Sequence, residues 1–195
     1  MEFIDRREEI ARLERLAARG AAGMAVVWGR RRLGKSRLLT EWCGRHGGAY
    51  WVADESASAI QRRYLAAELE SVLPGFSSVE YPDWAVLLDR LSKEARQVRW
   101  RGPLVLDEFP YLAASAPELP SVLQRWIDRE KREGGLLLAI SGSSQRMMQS
   151  SVLDSSAPLC PRNPPRCPLR WLWPMRLRPR RRRPPRRRPF RKRQY

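Results

Sequence analysis

An eight-residue segment near the amino terminus has the composition and spacing of a phosphate-binding loop. Residues 29–36 read Gly-Arg-Arg-Arg-Leu-Gly-Lys-Ser, the pattern G-x-x-x-x-G-K-[ST], between an apolar run and an amphipathic segment. The two glycines let the chain turn sharply and bring successive backbone N–H groups close to an anion. Lys35 can then reach β- and γ-phosphates, and the Ser36 hydroxyl can ligate Mg²⁺. The alternative is a glycine-containing turn before a basic helix, without a ligand.

Two carboxylates end a second apolar run about 70 residues further along the chain. Residues 104–108 read Leu-Val-Leu-Asp-Glu, and parallel strands bring such carboxyl-terminal ends to the same edge of a sheet. We predict that Asp107 holds Mg²⁺ through its water shell and that Glu108 polarises the attacking water as a general base. An acidic pair at a strand end is otherwise a solvated turn.

A serine-rich segment, residues 141–144, follows a further apolar run. A hydroxyl there could sense a γ-phosphate, with Ser143 the candidate, or Ser143 or Ser144 could cap the next helix. Lys35 and Glu108 are the predicted catalytic residues, and Ser36 and Asp107 the predicted metal ligands. The residues predicted to contact the nucleotide are Gly29, Arg30, Arg31, Arg32, Leu33, Gly34, Lys35, Ser36, Arg37 and Ser143.

Strand-like and helix-like patterns alternate around these motifs. The predicted strands are residues 24–28, 49–53, 103–106 and 136–140, and the predicted helices are residues 3–19, 35–43, 58–73, a segment that begins at 84, and 121–133. Continuously apolar strands that alternate with amphipathic helices indicate a parallel sheet covered on both faces. The predicted fold class is therefore α/β, as a three-layer α/β/α sandwich.

Positive charge is concentrated at the carboxyl-terminal end of the chain. Of 195 residues, 38 are Lys or Arg and 21 are Asp or Glu, but residues 160–195 hold 14 Arg, one Lys and no acidic residue. Nine of the 16 prolines also lie there, so helix and central strand are disfavoured. We predict a domain over residues 1–159 and a basic tail over 160–195, disordered from about residue 175. Such a tail could bind nucleic acid.

The remaining composition bears on membrane association and on the cellular compartment. No run of about 18 apolar residues is present, the first ten residues include six charged ones, and the three cysteines do not suggest a disulfide framework. We therefore expect no membrane partner and a cytoplasmic location. His46, the single histidine, is predicted to be a surface residue without a catalytic role.

Taken together, these motifs resemble the archaeal-type ATPase family, a branch of the P-loop ATPases close to the AAA+ and STAND groups. The resemblance rests on residues 3–10, 28–39, 104–109, 141–148 and 152–159. It implies an ATP-binding domain with sheet order 5-1-4-3-2 and places residues 3–9 near the adenine. The cofactors that it implies are ATP and Mg²⁺.

The resemblance weakens abruptly after residue 159. Arg162 stands where the family has an arginine, and residues 172–175 (Leu-Trp-Pro-Met) only faintly echo the end of the family's fifth strand. One hypothesis is that residues 160–195 are an out-of-frame translation of GC-rich DNA. The sheet is then expected to lack its fifth strand, which leaves strand one as an unprotected edge.

The sequence and the resemblance leave three candidate functions. The first is Mg²⁺-dependent ATP binding, with hydrolysis as a switch that requires an arginine finger in cis, from self-association or from a protein partner. Arg162 is a weak candidate for that arginine. The second is nucleic-acid binding through the basic tail, and the third is a non-functional truncated remnant.

Overall fold

The computed structural model describes residues 6–143, 148 and 172–176, and within them a single parallel sheet carries helices on both faces. The strands are β1 (Gly23–Trp28), β2 (Ala49–Val52), β3 (Leu104–Asp107), β4 (Leu137–Gly142) and β5 (Leu172–Arg176). The helices are α1 (Arg7–Ala17), α2 (Lys35–Arg45), α3 (Ser58–Leu69), α4 (Trp84–Val98), α5 (Phe109–Ser115) and α6 (Leu119–Glu133), with a 3-10 turn at Phe76–Ser78.

The strand order is β2-β3-β4-β1-β5, and every pairing is parallel. β1 lies between β4 and β5, with Met24 opposite both Leu138 and Leu172. The predicted α/β class is confirmed, and the order is the one that the family resemblance implies. The carboxyl ends of β1, β3 and β4 therefore meet at one edge of the sheet.

The expectation that the sheet lacks its fifth strand is wrong. Residues 172–176, inside the predicted basic tail, pair in parallel with β1 from Met24 to Trp28. The physical reason is that β1 presents unpaired main-chain groups on the side away from β4, and an extended segment satisfies them. Pro174 carries no N–H donor, but an edge strand tolerates proline because one of its sides needs no partner. The predicted disorder of the other tail residues falls outside the described residues.

Two apolar cores lie between the sheet and the helices on its two faces. On one face, α1 and α2 pack on the sheet through Leu13, Leu38 and Trp42 against β-strand residues such as Val27 and Val105. On the other face, the sheet residues Met24, Val26, Leu106 and Ile140 pack with α3, α4, α5 and α6. Trp42, Trp84 and Trp126, which lie on α2, α4 and α6, are all buried. The three-layer sandwich is thus as predicted.

The largest differences from the helices that the sequence predicts are at α3 and α5. α3 ends at Leu69 instead of residue 73, because the Glu70 carboxylate accepts hydrogen bonds from the Gly75 N–H and from the Ser77 N–H and hydroxyl and so bends the chain. α5 was not predicted at all, since its seven residues are too few to show a helical period. Tertiary burial of Phe109 and Leu112 stabilises this short helix.

The helices of the described part of the chain are short relative to a bilayer. The longest two, α4 and α6, have 15 residues each and are amphipathic. None of the helices in those residues has the length and apolar character that a membrane span requires.

Candidate functional site

The residues predicted to do chemistry converge at the carboxyl-terminal edge of the sheet. The loop 29–34 leaves β1 and enters α2, Asp107 ends β3, and Ser143 follows directly after β4. Because β3 and β4 neighbour each other and β4 neighbours β1, these three strand ends are adjacent. The convergence that the motif spacing predicted is therefore present in the fold.

The loop before α2 has an unusual backbone. Arg32 has φ 65° and Gly34 has φ 79°, both in the left-handed region. At Gly34, the cap of α2, a Cβ atom would have no neighbour within 4 Å, so the position needs glycine for its conformation and leaves open space beside the helix. The loop thus exposes the amino terminus of an 11-residue helix to that space, where an anion is favoured.

Lys35 is folded against the loop that precedes it. Its side chain is buried, and Nζ donates hydrogen bonds to the carbonyl oxygens of Gly29 (3.0 Å) and Arg30 (3.3 Å). Burial lowers the pKa of Lys35, while the negative charges of Glu108 and Asp107 act in the opposite direction. The two carboxylates whose negative charge acts on this ammonium, Glu108 and Asp107, are thus the pair that the sequence predicted at the site.

Asp107 is buried and fully held by donors. Its carboxylate accepts hydrogen bonds from the Tyr50 hydroxyl (2.6 Å), the Ser141 hydroxyl and the Glu108 N–H (2.8 Å). Burial alone would raise the pKa of Asp107, but hydrogen bonds from Ser141, Ser36 and Tyr50 hold this pKa below its ordinary value. The carboxylate is therefore ionised at neutral pH, as a metal ligand must be.

Glu108 adopts a strained backbone conformation next to Ser143. Its φ is 50°, in the left-handed region, where non-glycine residues are uncommon and often functional. Oε2 accepts hydrogen bonds from the Ser143 hydroxyl (2.9 Å) and the Ser143 N–H (3.2 Å). Glu108 and Ser143, predicted separately as base and sensor, are thus in direct contact.

A cleft of about 720 Å³ opens beside the loop. Its walls are formed by Arg31, Arg32, Gly34, Lys35, Ser36, Val52, Ala53, Asp54, Glu55, Glu108 and Tyr111. The Arg31 guanidinium donates to the Tyr111 hydroxyl (3.3 Å) across the cleft. Of the three loop arginines, Arg31 and Arg32 face this space, whereas Arg30 contributes its carbonyl oxygen to Lys35. Arg37 is exposed in the first turn of α2.

Sequence reasoning missed Tyr50 altogether and missed the contacts that Ser141 and Arg6 make. Tyr50 and Ser141 both donate to Asp107, and the buried Arg6 donates to the Leu33 carbonyl oxygen (2.9 Å) inside the loop. The alternation of residues along a strand was the available signal for Ser141, because Asp107 and Ser141 lie on the same sheet face as the core under α2. Arg6 belongs to the block 3–9 of the family resemblance, but no local signal pointed to its contact with the loop.

The donor set suits a nucleoside phosphate with a divalent cation. The open space at Gly34, the buried ammonium of Lys35 and the helix amino terminus all favour an anion. Ser36 lines the cleft, and its hydroxyl and the ionised Asp107 carboxylate are hard oxygen ligands of the kind that suits Mg²⁺. His46, predicted to be a surface residue, is partly exposed and contacts Glu14 (2.8 Å).

Several predicted features fall outside the described residues. They are the part of the adenine-proximal block before Arg6, the alternative cap Ser144, and the arginine-finger candidate Arg162. Their roles stay predictions.

Comparison with known proteins agrees with this geometry. A family model for ATPase domains predominantly from Archaea matches residues 3–176, which includes β5. Uncharacterized protein MJECL04 of Methanocaldococcus jannaschii is 28% identical over 159 residues, which are 80% of this chain and 33% of that protein.

Solved structures share the fold at low identity. The Walker-type ATPase PABY2304 of Pyrococcus abyssi has a TM-score of 0.63 at 18% identity, over 80% of this chain and 51% of that one. Cdc6p from Pyrobaculum aerophilum has a TM-score of 0.58 at 16% identity, over 90% and 46%. The Aeropyrum pernix ORC2 protein, solved as ADPNP–ADP complexes, has a TM-score of 0.55 at 16% identity, over 90% and 48%. The chain spans about a third of the Methanocaldococcus protein and about half of each solved chain.

Proposed function

Because the chain belongs to the family of ATPase domains found predominantly in Archaea, we propose that it binds ATP with Mg²⁺ at the loop before α2 and hydrolyses it as a switch. The observation that carries the proposal is the convergence of Gly34, Lys35 and Asp107 at one sheet edge. Each of the three meets a different requirement for binding a nucleoside triphosphate. Gly34 leaves room for the phosphates, Lys35 provides positive charge, and Asp107 provides a carboxylate that can hold the metal.

The loop residues bind and orient the phosphates. Lys35 donates to two carbonyl oxygens of the loop, so its ammonium is already inside the cleft. When ATP binds, the ammonium exchanges these neutral partners for a charged phosphate. Hydrogen bonds to a charged group are stronger than those to a neutral carbonyl. The exposed Arg31 and Arg32 line the same cleft and add positive charge to it.

Ser36 and Asp107 would hold the magnesium ion, Ser36 by its hydroxyl and Asp107 through a water molecule. When bound, the ion would neutralise part of the phosphate charge. Glu108, adjacent in sequence but turned toward Ser143, orients the attacking water and accepts its proton. Hydrolysis at a useful rate further requires an arginine from a partner or a second copy of the chain.

ATP binding is tested by thermal unfolding with and without Mg²⁺-ATP. A ligand present at 100 times its Kd stabilises the folded state by about 2.7 kcal/mol, so we expect a clear rise in Tm for the wild type. Lys35→Ala removes the buried ammonium, and loss of a charged hydrogen bond of about 1.5–3 kcal/mol weakens the ATP affinity by roughly ten- to a hundredfold. The Tm rise should therefore shrink or vanish.

Lys93→Ala is the matched control, since Lys93 is an exposed lysine on α4 away from the loop. Its Tm rise with Mg²⁺-ATP should equal that of the wild type. A folded wild-type chain that shows no Tm rise, or a Lys35→Ala variant that keeps the full rise, would contradict the proposal. The same titration with GTP measures base selectivity.

Nucleic-acid binding is a second candidate, favoured by the 15 basic and no acidic residues of the basic tail. Polyanion binding of this kind weakens steeply with salt, with a slope of about −0.9 per phosphate contact on duplex DNA. Removing residues 177–195 deletes eleven basic residues, and we expect the slope to flatten towards zero in a salt titration of DNA binding. An unchanged slope would exclude the tail as the binding segment.

A further inference from the structure

The side chain of Tyr50, on β2, contacts one of the two residues predicted to hold the metal. Its hydroxyl donates to Asp107 Oδ2 at 2.6 Å. Tyr50 also packs with the core under α2, the helix that begins at Lys35 and carries Ser36. One half-buried hydroxyl thus holds the carboxylate on the sheet face that this helix covers.

The fold directs Tyr50 to this place. Along β2 the residues alternate between the two sheet faces, and Tyr50 packs with the core under α2, whereas Trp51 packs on the opposite face. Val52 is paired with Asp107 across the β2–β3 ladder, so Tyr50 lies two residues before that pair on the same face. Its phenol therefore extends along β3 towards the carboxylate.

The phenol acts as a donor at neutral pH. The Tyr50 hydroxyl is the donor of this pair, because the Asp107 carboxylate can only accept. Ser141 donates to the other oxygen, Oδ1, which also receives the Glu108 N–H. The carboxylate is consequently held from both oxygens, and its rotation about the Cβ–Cγ bond is blocked.

We propose that Tyr50 is a positioning residue for the metal site, which orients the Asp107 carboxylate for a divalent cation. This inference rests on the proposed function. Partners that orient a metal ligand commonly contribute 10- to 100-fold to metal affinity. Tyr50 does not contact the nucleotide in this role, so it changes the concentration of Mg²⁺ that ATP binding requires and leaves metal-free nucleotide binding unaltered.

The experiment measures binding of ATP to the full chain while Mg²⁺ is raised from an EDTA-buffered start. Tyr50→Phe removes only the hydroxyl, and we expect the Mg²⁺ midpoint to rise by at least about tenfold. ATP affinity in EDTA should stay the same. Ser141→Ala removes the donor to Asp107 Oδ1 and should also raise the Mg²⁺ midpoint. This second variant tests the inference if Tyr50→Phe does not fold.

Tyr81→Phe is the matched control. Tyr81 also loses a buried hydroxyl that donates to a backbone carbonyl, that of Phe76 (2.6 Å), but it lies outside the site. Its melting temperature should fall while its Mg²⁺ midpoint stays at the wild-type value, which separates a stability effect from a metal effect.

The outcomes are distinguishable. An unchanged Mg²⁺ midpoint in Tyr50→Phe, with Mg²⁺-dependent ATP binding in the wild type, overturns the inference and leaves the proposed function standing. A lower midpoint also overturns it, because the phenol would then compete with the cation for Asp107. A wild type without Mg²⁺-dependent ATP binding overturns both.

Discussion

Glu108→Gln is expected to lower the rate of ATP hydrolysis by about 10²–10⁴-fold, the usual contribution of a positioned general base. The amide keeps the size of the side chain and can still accept from Ser143, whose hydroxyl and N–H contact Glu108 Oε2. Only the ability to take a proton is lost. ATP binding, measured by Tm shift, should be retained, because Lys35 and Asp107 are untouched.

Phosphate release under single-turnover conditions measures the effect. Glu118→Gln is the control, since Glu118 is an exposed glutamate just before α6 and away from the cleft. It should hydrolyse ATP at the wild-type rate. Equal rates for Glu108→Gln and the wild type would remove Glu108 from the mechanism, and a wild type that binds ATP without turnover would limit the proposal to binding.

Truncation after residue 171 is expected to destabilise the domain far more than truncation after residue 176. Both shortened chains lack residues 177–195, and they differ only in β5, which pairs with β1 over five residues. At about 1 kcal/mol for each main-chain hydrogen bond, loss of this ladder removes a large share of the 5–15 kcal/mol that is typical of a folded domain.

Chemical denaturation of the two truncated chains tests this comparison, and light scattering tests the exposed edge of β1. The longer chain should unfold at a denaturant midpoint close to that of the full chain. The shorter one should unfold earlier and associate, because β1 then presents unpaired main-chain groups. Identical midpoints for the two would show that residues 172–176 add nothing to the sheet. That outcome would favour the out-of-frame hypothesis for the tail.

The sequence by itself determined the class of fold and the identity of the central chemical groups. The predicted phosphate-binding loop is a local pattern, because the left-handed Gly34 and the helix that begins at Lys35 are adjacent in the chain. Apolar runs and helical periodicity are also local, so the alternation of strands and helices was predictable. Asp107 and Glu108 were found for the same reason, as the polar end of an apolar run.

Only the tertiary structure decided which side chains hold those groups and where the sheet ends. Tyr50 reaches Asp107 across 57 residues, and Ser141 reaches it across 34, so no local pattern joins them. The Arg6 contact with the loop is of the same kind. β5 was missed because the proline- and arginine-rich composition of the basic tail argued against a strand. Its pairing depends on the open edge of β1, which lies far away in the sequence. Long-range hydrogen bonds are selected by what the rest of the fold leaves unsatisfied, and that requirement appears only when the chain is folded.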